Sequence, residues 1–238
     1  MNLALLGKAL AASRSGRAAA LATNLKSGLQ SFVEGSEVTG DLHLSEAVHA
    51  AIRTAFSEDR NTTIDTPEGA VFIEVFNPRL RCIIVGAVHI AQPLARMASL
   101  TGYLVTVVDP RTAFASDARF PDVEISTEWP DEALERLKPN RRTAVITLTH
   151  DPKLDDPALA TALRSDAFYI GALGSKKTHA ARCHRLAKLG FTEADFARIH
   201  GPVGLAIGAI SPAEIAIAIM AQVTQVLRAD HLKEREAA

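Results

Sequence analysis

Short apolar runs alternate with amphipathic segments along the later two thirds of the chain. The apolar runs predict strands at residues 82–85, 104–109, 123–125, 143–148 and 167–170. Segments with helical spacing lie between them, at residues 90–100, 130–137, 157–164 and 176–189. Apolar strands that alternate with helices are typical of a parallel sheet with helices on both faces. We therefore predict an α/β fold with a Rossmann-like sheet.

The first third of the chain has a less regular pattern. Residues 18–23 and 70–76 predict strands, and residues 45–56 predict a helix with one apolar face. At the N-terminus, the leucines of the first ten residues also lie at helical spacing, which predicts a helix docked through Leu3, Leu6 and Leu10. These elements indicate a small α+β domain.

A proline separates two apolar runs in the segment Asn77-Pro78-Arg79. The residue before a proline is biased away from the helical region, and such a break commonly ends an element. We therefore place a domain boundary here. The prediction is a small N-terminal α+β domain at residues 1–78 and a Rossmann-like cofactor-binding domain at residues 79–238.

The last helix has the clearest start signal in the chain. Ser211 is a suitable N-cap, Pro212 suits the first helical position, and Glu214 completes a capping box. Residues 215–226 are apolar on more than one face, which predicts either burial or a subunit contact. We expect a homodimer on this basis.

The bulk composition limits the classes of partner. With 26 basic and 27 acidic residues among 238, the net charge of −1 gives no reason to expect nucleic acid or an anionic membrane. No apolar run reaches the roughly 20 residues of a membrane span. The two cysteines, Cys82 and Cys183, are too few for a disulfide framework and fit a reducing compartment, so we expect a cytoplasmic protein. No metal site is predicted.

The first candidate site follows the strand at residues 82–85. Gly86 ends this strand, and Asp109 ends the next strand 23 residues later, which resembles the opening of a dinucleotide-binding domain. The second glycine of that fingerprint is replaced by Val88, whose methyl groups would lie where a pyrophosphate binds. His89 follows at the start of the helix, where it either faces a ligand or only caps the helix. Val88 therefore weakens the prediction of NAD binding at this turn.

Polar residues also follow two further strand ends. His150 and Asp151 come directly after an apolar strand, where they either bind a ligand or form an ordinary turn before Pro152. Arg111 follows Asp109 and either reaches an anionic ligand or belongs to a charged surface loop. Because the carboxyl ends of parallel strands line one crevice, we expect these side chains near His89.

The segment from Tyr169 to Lys177 predicts an anion site. Its glycines, Gly171 and Gly174, let backbone approach a ligand, and Ser175 suits either a helix N-cap or an oxyanion contact. Lys176 and Lys177 lie in the first helical turn, although lysines there oppose the helix dipole. A phosphate bound at the helix N-terminus would compensate for this arrangement.

Taken in order, these segments resemble the xanthine dehydrogenase accessory factor family (XdhC/CoxI). The matching segments include Ile84-Val85-Gly86-Ala87, Val107-Val108-Asp109-Pro110-Arg111, Thr149-His150-Asp151, Gly174-Ser175-Lys176-Lys177 and Pro212-Ala213-Glu214-Ile215. The resemblance implies a maturation factor that binds the molybdenum cofactor and passes it to the apoenzyme of a molybdenum hydroxylase of the xanthine dehydrogenase or CO dehydrogenase type. A cysteine desulfurase is a further partner implied by the resemblance. No catalytic residue is assigned, because such a factor is a chaperone rather than a turnover enzyme.

Two departures from the family pattern qualify this expectation. Val88 replaces the second glycine of the family's Gly-Ala-Gly-His turn, and the N-terminal Cys-Gly-Gly element of longer relatives is absent, so the chain resembles a short form. Two alternatives remain open. One is an NAD(P)-dependent oxidoreductase built on the same sheet, and the other is a non-catalytic scaffold that docks partner proteins.

Overall fold

The computed structural model describes residues 3–116 and 118–229, which form two compact units divided after Pro78. The predicted second domain extends to residue 238, of which residues 230–238 lie outside the described residues. In the part of the chain that the structure describes, no helix combines the length and apolar character that crossing a bilayer requires.

The first unit is an antiparallel sheet with two helices. Its elements are α1 (Leu3–Arg14), β1 (Ala19–Asn24), β2 (Gln30–Glu34), β3 (Glu37–Gly40), α2 (Glu46–Glu58), β4 (Thr62–Ile64) and β5 (Val71–Phe76). The strand order is β3-β2-β1-β5-β4, and all neighbours are antiparallel. The predicted strands and the α2 helix are present, while β2, β3 and β4 were not predicted.

The predicted docking face of α1 is wrong. Leu3 is 76% exposed and Leu10 is 42% exposed, whereas the buried residues are Leu5, Ala9 and Ala12. These three residues pack in a cluster with residues of β1 and β2. The buried face thus consists of Leu5 and two alanines, whose small size allows close approach of the helix to the sheet.

The second unit alternates strands and helices. Its elements are β6 (Arg81–Val85), α3 (Ala91–Leu100), β7 (Leu104–Val108), β8 (Glu124–Ser126), α4 (Pro130–Leu137), β9 (Thr143–Thr147), α5 (Pro152–Leu163), β10 (Tyr169–Ala172), α6 (Lys176–Ala187), α7 (Glu193–Phe196), β11 (Ile199–His200) and α8 (Pro212–Leu227). The strand order is β11-β10-β9-β6-β7-β8, and every neighbouring pair is parallel. The predicted Rossmann-like α/β fold is confirmed.

Apolar side chains cover both faces of this sheet. One cluster joins Ile84, Val107 and Ile146 to residues of α3 and α8. The other joins Ile83 and Val145 to residues of α4 and α5. Strands buried on both faces are apolar over most of their length, which is why such runs are recognisable in the sequence.

Two helix boundaries show how local signals act in this unit. The predicted capping box of α8 is confirmed, with Ser211 and Glu214 each bonding the other's backbone. The predicted start of α5, at residue 157, is too late. Asp151 instead caps the helix and Pro152 occupies its first position, while Pro157 lies inside the helix. Pro152 is tolerated because an N–H at the first helical position has no partner within the helix, whereas Pro157 removes one hydrogen bond from the helix interior.

Candidate functional site

The strand order of the second unit places a crevice at the carboxyl ends of β6 and β9. From β6 the chain continues through β7 and β8 on one side, then crosses to β9, β10 and β11 on the other. Ligands of open α/β sheets bind where the order reverses in this way. Three turns border this position, namely residues 86–90 after β6, residues 148–151 after β9 and residues 173–175 after β10. We call them the β6 turn, the β9 turn and the β10 turn.

The β6 turn packs tightly against the β9 turn. Gly86 has a φ of +107°, and a Cβ atom at this position would lie 2.5 Å from Cγ2 of Thr149. Glycine is therefore required both by the backbone conformation and by the neighbouring side chain. Val88 is half-buried and packs against the α3 and α8 cluster, while His89 is exposed. The valine thus contributes to the core.

Asp109 is fully buried and holds the β6 turn from below. Its Oδ2 accepts a hydrogen bond from the backbone N–H of Ala87 at 2.8 Å, and its carboxylate also accepts the guanidinium of Arg111 at 2.8 and 2.9 Å. The backbone N–H of Arg111 donates to Oδ1 at 3.0 Å. Burial alone would raise the pKa of Asp109, but these hydrogen bonds lower it below its ordinary value. The carboxylate is thus engaged within the chain.

Arg111, by contrast, is open to solvent over part of its surface. Its side chain is 40% exposed, and its guanidinium carbon lies 4.8 Å from the ring centroid of Phe114. The bond to Asp109 fixes the position of this charge at the carboxyl edge of the sheet. Arg111 therefore provides a positive group beside the β6 turn, and its ion pair with Asp109 holds this group there.

The β9 turn carries the second pair of predicted residues. His150 is exposed and has a φ of +61°, a conformation uncommon for a residue with a side chain. Asp151 caps α5, with Oδ1 accepting from the backbone N–H of Lys153 at 2.9 Å. The structure therefore presents His150 at the crevice edge, whereas Asp151 starts a helix.

The glycines of the β10 segment have different surroundings. Gly171 lies inside β10 and is buried, and a Cβ there would lie 2.6 Å from a methyl group of Val203 and 2.8 Å from the ring of Tyr169. Its small size therefore serves core packing. Gly174 has a φ of +136° in the β10 turn, with Thr178 close to its missing side chain.

The N-terminus of α6 is polar and exposed. The hydroxyl of Ser175 caps the helix by accepting from the backbone N–H of Thr178 at 3.1 Å. Lys176 and Lys177 are both exposed. In residues 3–116 and 118–229, no hydrogen-bond acceptor is found for the backbone N–H groups of these two lysines. Unpaired N–H groups and two positive side chains are suited to an anion.

The predicted site residues thus separate into two groups. His89, His150 and the Ser175-Lys176-Lys177 segment present exposed polar groups at one edge of the sheet, with Arg111 beside them. The remaining residues act within the chain, either by shaping backbone or by holding it, and these are Gly86, Asp109, Asp151, Gly171 and Gly174.

Two buried charged residues near the crevice were not predicted. Asp155 lies in the first turns of α5 and Arg182 lies in α6, and each is 1% exposed. Burial raises the pKa of Asp155 and lowers the pKa of Arg182, so it disfavours the charged form of both. A signal existed for Arg182, because it lies four residues before Leu186 on the apolar face of α6. A charged residue at such a helical position indicates a buried polar contact.

The glycine-rich segment at residues 201–208, which follows β11, is hydrogen-bonded to α8. Gln222 of α8 accepts hydrogen bonds at Oε1 from the hydroxyl of Tyr169 at 2.6 Å and from the backbone N–H of Gly204 at 2.8 Å. His200 stacks on the ring of Tyr169 with centroids 4.7 Å apart, and burial lowers the pKa of His200. Within the described chain, no group of three or more His, Cys, Asp or Glu residues could hold a metal ion.

Comparison with known proteins gives consistent matches over the second unit. A family model described as the XdhC Rossmann domain matches residues 82–223. A Bacillus subtilis (strain 168) protein, named as a probable subunit of xanthine dehydrogenase, is 33% identical over 156 residues, which cover 65% of this chain and 45% of that protein. The Escherichia coli (strain K12) molybdenum cofactor insertion chaperone PaoD is 33% identical over 151 residues, covering 63% of this chain and 41% of PaoD.

A solved structure extends the similarity to the first unit. The crystal structure of a xanthine dehydrogenase from Bacillus halodurans has a TM-score of 0.69 and 28% sequence identity, covering 94% of this chain and 64% of that chain. The matched region spans less than half of each of the two curated relatives described above.

Proposed function

Because the chain belongs to the XdhC family, we propose that it binds the molybdenum cofactor and assists its insertion into a molybdenum hydroxylase. The hydroxylase would be of the xanthine dehydrogenase or CO dehydrogenase type. The protein itself would act as a chaperone and not as a turnover enzyme. The name of PaoD, a molybdenum cofactor insertion chaperone, supports the proposal.

The observation that carries the proposal is the anion site at the β10 turn. A molybdopterin ends in a phosphate, and a phosphate fits the unpaired N–H groups and the ammonium groups of Lys176 and Lys177. The hydroxyl of Ser175 already caps the helix, so its lone pairs face the backbone and the lysines provide the charge. The strand order directs such a ligand to this edge of the sheet.

The other exposed groups suit the remainder of the cofactor. His89 and His150 are exposed at the same edge and would face the oxygen-rich metal end, where imidazole N–H groups donate hydrogen bonds. The bound cofactor would supply the molybdenum centre that the hydroxylase needs. Asp109 is bonded to Ala87 and Arg111, so we assign it the role of holding the β6 turn and not of binding the pterin edge.

The same finding disfavours the NAD(P) alternative. In a dinucleotide-binding domain, the acidic residue after the second strand accepts the ribose hydroxyls. Here four N–H groups of the chain already bond to the Asp109 carboxylate, which is completely buried. Ribose hydroxyls would have to displace hydrogen bonds that this buried carboxylate already accepts.

We extend the proposal to partners and location. Ile207, Ile210 and Ile217 are at least half exposed around the start of α8, which supports contact with a second copy or with the apoenzyme. A cysteine desulfurase is a further proposed partner, and the cytoplasm is the proposed location. Both cysteines are free thiols, which suits a reducing compartment.

The test is to express the full chain in a host that makes molybdopterin and to measure the pterin that copurifies. Wild-type protein should carry pterin, and Lys176→Gln Lys177→Gln should reduce its content roughly tenfold, equivalent to about 1.4 kcal/mol of binding free energy. His89→Ala should reduce it less. The matched control is Lys138→Gln Lys188→Gln, which removes the same charge at the C-terminal ends of α4 and α6.

Three results would contradict the proposal. Well-folded wild-type protein without pterin would exclude the chaperone function and leave a scaffold. Copurification of NADPH with hydride turnover on a carbonyl substrate would favour the oxidoreductase. Equal losses of pterin in the two lysine variants would show that overall charge matters and that the β10 turn is not the anion site.

A further inference from the structure

Three charged residues are buried in the described part of the chain, and two of them form a pair below the crevice. Asp155 and Arg182 approach to 3.6 Å between Oδ2 and Nη2. Removing a charge from water costs several kcal/mol, and a buried pair often stabilises a fold no more than apolar residues would. Fold stability is therefore a weak reason for the presence of this pair.

Asp155 holds the β9 turn. Its Oδ1 accepts from the hydroxyl of Thr149 at 2.7 Å and from the backbone N–H of Thr149 at 3.3 Å. Its Oδ2 accepts from the backbone N–H of His150 at 3.1 Å. The carboxylate thus fixes the backbone on which the exposed imidazole of His150 is mounted.

Arg182 holds the β10 turn. Its Nη2 donates to the backbone carbonyl of Leu173 at 2.9 Å, directly before Gly174. Side chains of a helix point toward its N-terminus, so the guanidinium lies beneath the first turn of α6. Two of its nitrogens, Nε and Nη1, are buried and find no partner among the described residues. In the described part of the chain, Arg182 is thus held through Nη2, by Leu173 and Asp155.

The contacts continue to the β6 turn. The Thr149 methyl group occupies the space that a side chain on Gly86 would need, at 2.5 Å from the position of its Cβ. One connected series therefore runs from Gly86 through Thr149, Asp155 and Arg182 to Leu173. It joins all three turns that border the crevice.

A second ion pair shows that the two helices have another connection. Arg185 of α6 forms a hydrogen bond with Asp156 of α5, with Nη2 3.0 Å from Oδ1. Asp156 directly follows Asp155 in α5, and Arg185 lies three residues after Arg182 in α6. Within residues 3–116 and 118–229, the side-chain hydrogen bonds and ion pairs found for Arg185 and Asp156 reach no residue of the three turns. The contribution particular to Asp155 and Arg182 is thus their hydrogen bonding to the turns.

We propose that Asp155 and Arg182 are positioning residues that set the spacing between His150 and the anion site at the start of α6. The effect of this positioning on ligand affinity rests on the function proposed above. Neither side chain needs to touch the ligand. The pair fixes the β9 and β10 turns relative to each other before a ligand binds, so less ordering free energy is lost on binding.

The first test needs no ligand. Amide hydrogen exchange is measured on the full chain for wild type, Arg182→Met, Asp155→Asn and the double variant carrying both changes. Exchange at residues 149, 150 and 173, whose backbone N–H groups are hydrogen-bonded, should become at least tenfold faster in all three variants. The matched controls Arg185→Met and Asp156→Asn break the neighbouring pair and should leave these amides at the wild-type rate.

The double variant separates positioning from stability. It leaves no unpaired buried charge, so its unfolding midpoint should recover toward the wild-type value even if Arg182→Met is too unstable to study. The fast exchange of the two turns should persist, and copurified pterin should remain at least fivefold below wild type. Recovery of slow exchange and of pterin together with the midpoint would overturn the proposal.

The two proposals fail in different ways. Wild-type protein without pterin would contradict the proposed function, and the exchange rates would still decide whether the pair positions the turns. Equal exchange in the Arg182→Met and Arg185→Met variants would contradict positioning, whatever the pterin content.

Discussion

The β6 turn and the β10 turn connect a strand to a helix in the same parallel sheet, yet they differ in their charged residues and in the cap of the helix that follows. In the β6 turn, Asp109 bonds the backbone of Ala87, and the helix that follows has no side-chain cap. In the β10 turn, Ser175 caps the helix and two exposed lysines follow it. The first turn is held by an internal carboxylate, and the second carries exposed positive charge.

This difference is the basis on which we propose a phosphate position at the β10 turn and not at the β6 turn. A dinucleotide site needs an accessible backbone in the first turn and a free acidic side chain after the second strand. Here the Asp109 carboxylate instead accepts a hydrogen bond from the backbone of the first turn. Lys176 and Lys177 lie on the other side of the switch point, after β10.

The largest effect is expected at the carboxylate of the β6 turn. Asp109→Asn removes a buried charge that bonds Arg111, and it should lower the free energy of unfolding by about 3 kcal/mol. Urea unfolding measures this value. The control Glu128→Gln, which breaks an exposed arginine pair in the same unit, should cause little change. A wild-type stability combined with lost pterin would instead make Asp109 a ligand contact.

This carboxylate also predicts a pH dependence. The pKa of Asp109 is lowered in the folded state, so its stabilisation is complete above the unfolded-state pKa of about 3.9 and is lost as the pH falls toward the folded-state pKa. Between pH 5 and pH 3, wild type should therefore lose stability more steeply than Asp109→Asn. Parallel curves would contradict the role of this ion pair.

The glycines of the two turns should respond unequally to alanine. Gly86→Ala places a Cβ 2.5 Å from the methyl of Thr149 and should cost about 2 kcal/mol, whereas Gly174→Ala meets Thr178 at 3.0 Å and should cost about 1 kcal/mol. Thermal unfolding compares them. Gly102→Ala, with a φ of +90° and no atom within 4 Å, measures the backbone strain alone. Equal losses of stability in Gly86→Ala and Gly174→Ala would mean that the β9 turn shifts to make room for the new Cβ atom.

The smallest effect is expected at the lysines of the β10 turn. Lys176→Gln Lys177→Gln should raise the free energy of unfolding by a few tenths of a kcal/mol, because positive charge opposes the helix dipole at this end. The control Lys138→Gln Lys188→Gln should have the opposite sign, since these lysines lie at helix C-termini. A loss of stability in both double variants would contradict the dipole argument.

Local patterns were sufficient for most of the second unit. Its five predicted strands are present, and they could be predicted because strands covered on both faces are largely apolar. The start of α8 could be predicted because capping uses neighbouring residues. Short elements with few residues gave no such signal. These are β2, β3 and β4 in the first unit and α7 and β11 in the second.

The site was predicted less completely than the fold. His89, Lys176 and Lys177 could be named as candidate ligand contacts because polar groups after apolar strands are conspicuous, and their ligand roles stay predictions. Asp155 and Arg182 could not be paired in advance, since they are 27 positions apart on separate helices and meet only through packing on the sheet.

The sequence by itself determined which segments are strands and helices, where α8 begins and which polar groups follow the strand ends, because these properties depend on residues close along the chain. The tertiary structure alone decided that Asp109 holds the β6 turn and that a buried ion pair joins the crevice turns. Those contacts depend on the order of the strands and on burial, which bring distant residues within hydrogen-bond distance and exclude water from them.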